Sequence, residues 1–480
     1  MDGKTALWLA ASACWFWASA ITSAQDAGKK PKDKVDIGDR LEPFVDDWLI
    51  DTMKGAALLL HHPDPQEVVV TFDEPCEGNT CCYVTVFRDD DRFRMYYRGS
   101  HFDWDKRKGT HQVACTAESK DGIHWTKPKL GLFEFDGSKE NNIVWMGNGS
   151  HNFTPFRDTN PDCKPEQRYK AVGGVKGGLV AFGSPDGIHW KQIQEKPVIT
   201  KGAFDSQNLA FWDAVRGRYV DFHRAGHQGV RHIMTCTSDD FIHWTEPEFV
   251  DFGDAPPEHL YTNAVLPYCR APHIFFGFPK RFVPSRKKIV DHPYDGVSDG
   301  VFMTSRDGEH WHRWIEGFIR PGLMRERWWQ RNNMTGWGIL TTKAAQPGAP
   351  DELSLYSTEN YYIGPCRLRR FTLRVDGFVS VNAGHEGGEF TTRPLTFKGK
   401  ELVLNYATSA AGSVCVELLG EDGKPLPGFE LESCPEIYGD ELEHVVTWKD
   451  GADVSSLEGK PVRLRFALKD ADLYSIRFRQ

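Results

Sequence analysis

What this chain lacks narrows its function first. It carries no glycine-rich phosphate loop, no nucleotide-binding fingerprint and no Ser-His-Asp signature. No paired CxxC spacing offers a zinc site, and no metal or other cofactor is expected. Basic residues are outnumbered, 58 against 67 acids, for a net charge of -9, which argues against nucleic acid because a polyanion needs a basic face. Beyond the first thirty residues no run is apolar enough to span a bilayer.

The N-terminus itself reads as a signal peptide. Lys4 supplies a positive start, Ala6 to Ile21 an apolar run, and Thr22-Ser23-Ala24 small residues before a cleavage point at Gln25. Residues 1–24 are therefore expected to be removed, leaving a secreted or periplasmic chain that begins with a charged linker over 25–37. Export permits disulfides, and Cys76 with Cys81 or Cys82, and Cys415 with Cys434, are near enough in sequence to pair. The 45 Gly, 28 Pro and 16 Trp suit many short strands separated by turns.

One pattern recurs four times. Ser119-Lys-Asp121-Gly122-Ile-His-Trp125 returns at Ser184–Trp190, Ser238–Trp244 and Ser305–Trp311, and a degenerate copy runs from Ser357 to Tyr362. The spacing is that of propeller blades with loops. Asp-Gly supplies a turn with positive φ, Ser and Asp bond nearby amides, and Trp seals the hairpin. Four equivalently placed histidines (124, 189, 243 and 310) read as structural, since one metal could not use them all. Paired strands precede each copy: Tyr83–Phe87 with Phe93–Tyr97, Phe153–Phe156 with Tyr169–Val172, Leu209–Trp212 with Tyr219–His223, and Thr262–Pro267 with Ile274–Phe278. In the fifth unit Asn332–Gly336 precedes Ile339–Thr342, and Leu41–Ile50 is expected to close or brace the ring. The fold is read as all-β: a five-bladed β-propeller over 38–370, then a β-sandwich over 371–480 whose strands include Leu402–Ala407, Val414–Leu419 and Val462–Leu468.

These repeats, followed by a sandwich after Leu368-Arg-Arg-Phe-Thr-Leu-Arg-Val-Asp-Gly-Phe-Val-Ser-Val381, resemble the five-bladed glycoside hydrolases of families 32 and 43. The invertase-like Asn-Asp-Pro-Asn-Gly and Glu-Cys motifs are absent, so candidate residues are nominated by place in the fold. The resemblance implies a funnel lined by the starts of the innermost strands. Glycosidic cleavage needs one protonated and one ionised carboxyl. Asp205, Glu258 and Glu77 stand at those starts and are the catalytic candidates, with Glu258 the general acid by the family habit of a late-blade Glu. Asp158 falls at the opposite rim. His151, Asn152, Gln207, Asn208 and Glu326 share the funnel-side positions. Arg98, Trp104, Arg224, Arg281 and Trp328 are candidates for binding, because aromatic faces stack on sugars and Arg forks onto carboxylate or sulfate. The expected partner is a carbohydrate, which the basic rim allows to be anionic; oligomeric state is not legible. A carbohydrate-binding propeller without activity, and a structural or protein-binding one, stay open beside the hydrolase.

Overall fold

The structure, a computed structural model, describes residues 34–480. The expected signal peptide and most of the linker lie outside them. Almost every element is a β-strand, and five sheets follow one another as blades. Blade 1 runs outward from Cys82–Asp89 through Arg92–Asp103 and Lys108–Ser119, which pairs with both Trp125–Thr126 and Ile143–Met146. Blade 2 begins at Thr154–Arg157, blade 3 at Leu209–Asp213 and blade 4 at Leu266–Tyr268, each with four antiparallel strands. Beside blade 4, His259–Leu260, Lys280–Val283 and Val297–Gly300 form a second small sheet.

Blade 5 differs from its reading. Met334–Thr335 and Leu340–Thr342 are two pieces of one inner edge, and both pair with Glu352–Glu359. Arg367–Arg374 follows, and Asp64–Thr71 supplies the outer strand, so this N-terminal segment closes the ring. Leu41–Ile50 does not: Glu42–Pro43 pairs with Ile476 and Ser475 of the C-terminal sheet. It braces instead, because buried Glu42 receives Arg306 Nη1 at 3.0 Å from blade 4. The degenerate copy at 357–362 is likewise not an outer hairpin. It ends the second strand of blade 5, where the chain turns at the funnel side.

The four full copies behave alike. Each Trp indole N–H donates to the carbonyl three residues earlier, at 3.0, 2.9, 3.1 and 3.0 Å. In every copy the serine Oγ accepts the third following amide, and the aspartate accepts the next histidine's backbone N–H and ring. The histidines are thus spent on their own turns. Phe241 replaces glycine in the third copy at φ +70, a region L-residues avoid, and its fully buried ring offsets the strain by packing on Phe156, Tyr219 and Trp244.

These turns make an acid-sensitivity prediction. Burial pushes the Asp186 carboxyl up, but the His189 backbone N–H and imidazole, with Ile188 and Ser184, outweigh it and bring it from 3.8 to about 2. Asp121, Asp240 and Asp307 shift downward in the same way. A folded value below the unfolded one gives stability that is complete above the unfolded value and lost as pH falls through the folded one. The melting temperature should drop steeply between about pH 4 and pH 2; a flat thermal profile across that window would contradict this.

The second layer of the molecule is built on two long paired strands, Glu401–Gly420 and Val462–Arg479, where three shorter ones were expected. Val35–Gly38, Ile50–Lys54 and Ala56–Leu60 join the same sheet system, so residues 35–60 belong with the sandwich and the last propeller strand extends to Arg374. The join is apolar and polar at once. Phe378 is buried among Tyr268, Phe276, Phe278, Phe302 and Phe318 of blade 4 and its neighbours. Asp376 accepts Tyr268 Oη at 2.5 Å and Arg270 Nε at 3.0 Å. The expected disulfides are corrected: all ten described cysteines are free, and the Sγ atom of Cys76 faces Cys115 at 3.9 Å.

Candidate functional site

Residues before the inner strands and at the turns between second and third strands gather at one mouth of the propeller, as the strand order requires. Arg98 lies midway along the second strand of blade 1, and its guanidinium is 3.4 Å from both ring nitrogens of His151, which precedes blade 2. His151 Nε2 reaches Asp205 Oδ1, before blade 3, at 2.9 Å. Three sequence candidates therefore meet. The hydrogen bond from His151 is the main cause that holds Asp205 down at about 2, helped by Arg224 and Arg331. Burial moves His151 the other way from a cation, lowering its value, and Arg98 adds to that. The pair at neutral pH is an ionised carboxylate beside a neutral imidazole.

Tyrosines link the rest. Tyr83 and Tyr261 share a hydrogen bond of 2.8 Å between hydroxyls. Arg98 sits 4.7 Å over the Tyr83 ring, and Arg224, Arg231 and Lys280 lie 5.0, 5.9 and 4.4 Å from the centre of Tyr261. The Tyr361 hydroxyl accepts from Arg98 at 3.1 Å and from Arg331 at 3.3 Å. Tyr83, Arg331 and Tyr362 all hold left-handed backbone, at φ +56, +68 and +74, without being glycine. Strain of this kind persists where surrounding structure enforces it, and it clusters at working sites. Trp104 closes the edge, donating to the Tyr362 carbonyl at 3.0 Å with Tyr294 alongside. A groove of about 510 Å³ lined by Arg224, His227, Arg231 and His259 leads away from this cluster.

Other candidates have different work. Asn152, Gln207 and Asn208 are buried and tie backbone: Asn152 Nδ2 donates to Gly174, Phe204 and Ser206 carbonyls, Asn208 to Phe204 and Ser206, and Gln207 to Val84. They shape the Asp205 loop and leave the ligand to others. Glu77 is buried beneath the mouth, where it accepts Tyr97 Oη and pairs with Lys127 at 2.7 Å. Glu258 is held by Arg313 and Arg281, with Arg281 also forked onto Asp299, and it lines, with His232 and Asp251, a cavity that shares His227, Gln228 and Val230 with the Arg224 groove. The direct partner of Asp205 is His151, and those of Glu258 are the two arginines. Glu326 is exposed on the short turn Arg325–Arg327, and Trp328 donates to the Gly322 carbonyl at 2.7 Å. Asp158 pairs with Lys170 and Tyr219 and lines a cavity of about 550 Å³ with Thr85, Phe156 and Trp337, a different set of residues from the Tyr261 cluster.

Lys280, Arg331, Tyr83, Tyr261 and Tyr361 were not nominated by the sequence. The signal for Tyr361 was present in the degenerate copy, but a hairpin reading hid its direction. Asp221, His223 and Cys236 form a buried cluster with donor types suited to a metal. Both His223 nitrogens are already engaged, with Asp221 and with the Lys201 carbonyl at 2.9 Å, so the arrangement anchors the 201–205 segment rather than presenting open ligands. Burial raises the Asp221 carboxyl, against the opposing pull of His223 and Cys236.

Glu258 gives a direct test of these assignments. Glu258→Gln should lower stability by about 1–3 kcal/mol, because buried Arg313 loses its carboxylate. Urea unfolding checks this, and unchanged stability would show that Glu258 is not needed to hold Arg313.

No family model matches the chain, and no curated protein sequence does. Solved structures are similar to it at a distance. One is a glycoside hydrolase, 15% identical over 65% of this chain and 92% of that one, with TM-score 0.43. An N-acetylgalactosamine deacetylase from F. plautii, solved with blood group B trisaccharide, is 13% identical over 66% and 96%, with TM-score 0.44. The catalytic domain of a Coprinopsis cinerea GH62 α-L-arabinofuranosidase is 10% identical over 66% and 99%, with TM-score 0.43. At such distances the site stands on its own geometry.

Proposed function

We propose that the mouth built around Asp205 and His151 binds a saccharide and cleaves its glycosidic bond, the activity implied by the resemblance to families 32 and 43. The observation that carries this reading is an ionised carboxylate presented beside tyrosine hydroxyls and an aromatic edge. An ionised carboxylate stabilises or captures the positive charge that develops at the anomeric carbon. Glu77 and Glu258 are committed to ion pairs, and the burial that keeps the Tyr83 hydroxyl protonated also makes it a weak acid. Export, expected from the leader, would put this mouth in contact with extracellular glycans.

The commitment of Glu77 and Glu258 also favours a second reading, a propeller that binds saccharide without cleaving it. Reducing-end release from a panel of plant and algal glycans decides between them. Release by wild type and its loss in Asp205→Asn supports the enzyme; binding without release supports the second reading.

A further inference from the structure

The mouth is short of negative charge. Arg98, Arg224, Arg231, Lys280 and Arg331 all face the same group of tyrosines, yet among the described residues none of the five makes a salt bridge with a carboxylate. Their hydrogen bonds go to neutral groups: Arg98 to the Thr80 carbonyl and Tyr361, Arg224 to the Ala203 carbonyl, Arg331 to Tyr361. Lys280 is 2% exposed, and its ammonium lies 4.4 and 5.9 Å from the centres of the Tyr261 and Phe282 rings, with no salt bridge among the described residues. One acid stands against the group: Asp205, hydrogen-bonded to His151, offers a single negative charge, felt by Arg224 and Arg331, to five cations. Elsewhere buried cations are mostly paired with acids, as Arg94 with Asp89, Arg306 with Glu42 and Arg313 with Glu258, although buried Arg327 donates to Asn333 Oδ1 instead. Burying cations without counter-charge is unfavourable, and tyrosine faces offset only part of it.

We propose that this cluster is a subsite for the acidic groups, carboxylate or sulfate, of an anionic saccharide. Guanidinium forks match the planar carboxylate and the oxygens of a sulfate, which share this recognition chemistry. The groups lie in two neighbouring sets, Arg98 with Arg331 on Tyr361 and Arg224 with Arg231 and Lys280 on Tyr261, joined by the Tyr83–Tyr261 bond. Two sets fit a ligand carrying acidic groups on more than one sugar. The depressed value of Lys280, caused by burial and by the Arg331, Arg231 and Arg224 charges, agrees with a missing anion. The inference rests on the saccharide reading for the ligand's backbone, and on the cations alone for its charge.

Calorimetric titration of the mature protein with trigalacturonate, a sulfated carrageenan tetrasaccharide and fully methyl-esterified trigalacturonate tests it. One anionic probe should bind at least about 100-fold more tightly than the neutral ester, and more weakly as salt screens the charges. The first two probes separate carboxylate from sulfate. Arg331→Gln and Arg224→Gln should each weaken binding about tenfold or more. Lys280→Met should weaken it without lowering the melting temperature of the free protein, since it removes an uncompensated charge; this keeps the test independent of folding defects. Equal binding of the neutral ester, or variants with wild-type affinity, would overturn the proposal. Thermal protection by inorganic sulfate that is lost in Arg331→Gln, with no oligosaccharide bound, would support the anion subsite and refute the saccharide reading. Cleavage of a neutral glycan by wild type, with neither anionic probe bound more tightly than the neutral ester, would do the reverse.

Discussion

Replacing Asp205 by Asn should cut saccharide turnover by about 10²–10³-fold while leaving KM within a few-fold of wild type. The substitution keeps shape and hydrogen bonding to His151 but removes the charge that the transition state needs. The carboxylate side chain is 58% exposed, so its loss should scarcely alter the melting temperature. Because His151 and Arg224 keep Asp205 ionised down to about pH 2, wild-type activity should show no loss from its protonation anywhere above about pH 4. Near-normal kcat in the variant would move the chemistry away from this carboxylate.

Phe378→Ala should destabilise the protein by about 3–5 kcal/mol, the range for a buried phenylalanine truncated in a well-packed core. Five aromatic rings surround this side chain within 6.0 Å, and it leads directly into Val379–Ala383 of the C-terminal sheet. It therefore couples the two layers as well as filling space. Urea unfolding of the variant should start earlier and separate into two transitions, one for the sandwich and one for the propeller. A single transition shifted by less than about 1 kcal/mol would show that Asp376 and its partners carry the junction instead.

The blades were legible because each outer hairpin encodes its own turn. Ser184, Asp186, Gly187, His189 and Trp190 complete their hydrogen bonds within seven residues, so local sequence suffices. Blade 5 was not, because its outer strand, Asp64–Thr71, lies nearly three hundred residues from its partner Arg367–Arg374. No local pattern announces such closure. At the site, position before an inner strand drew attention to His151 and Asp205, which the fold brings within 2.9 Å of each other. The same rule nominated Glu258, but could not foresee its partner Arg313, which comes from 55 residues away. The cation cluster was legible only in part, with Arg98 and Arg224 offered as anion binders and Lys280 and Arg331 missed, for a related reason. Its members are single basic residues from blades 1, 3, 4 and 5, each indistinguishable in sequence from a solvated rim residue, and only the ring brings them together.

The most direct test of the account is a crystal structure of Asp205→Asn grown with whichever oligosaccharide the wild type binds or cleaves. The account predicts a sugar ring within hydrogen-bond distance of position 205, with the ligand running past Tyr83 and Tyr261 toward Arg98 and Arg331. A ligand seated in the cavity beside Asp158, or on the sandwich, with the Tyr261 mouth empty, would contradict it.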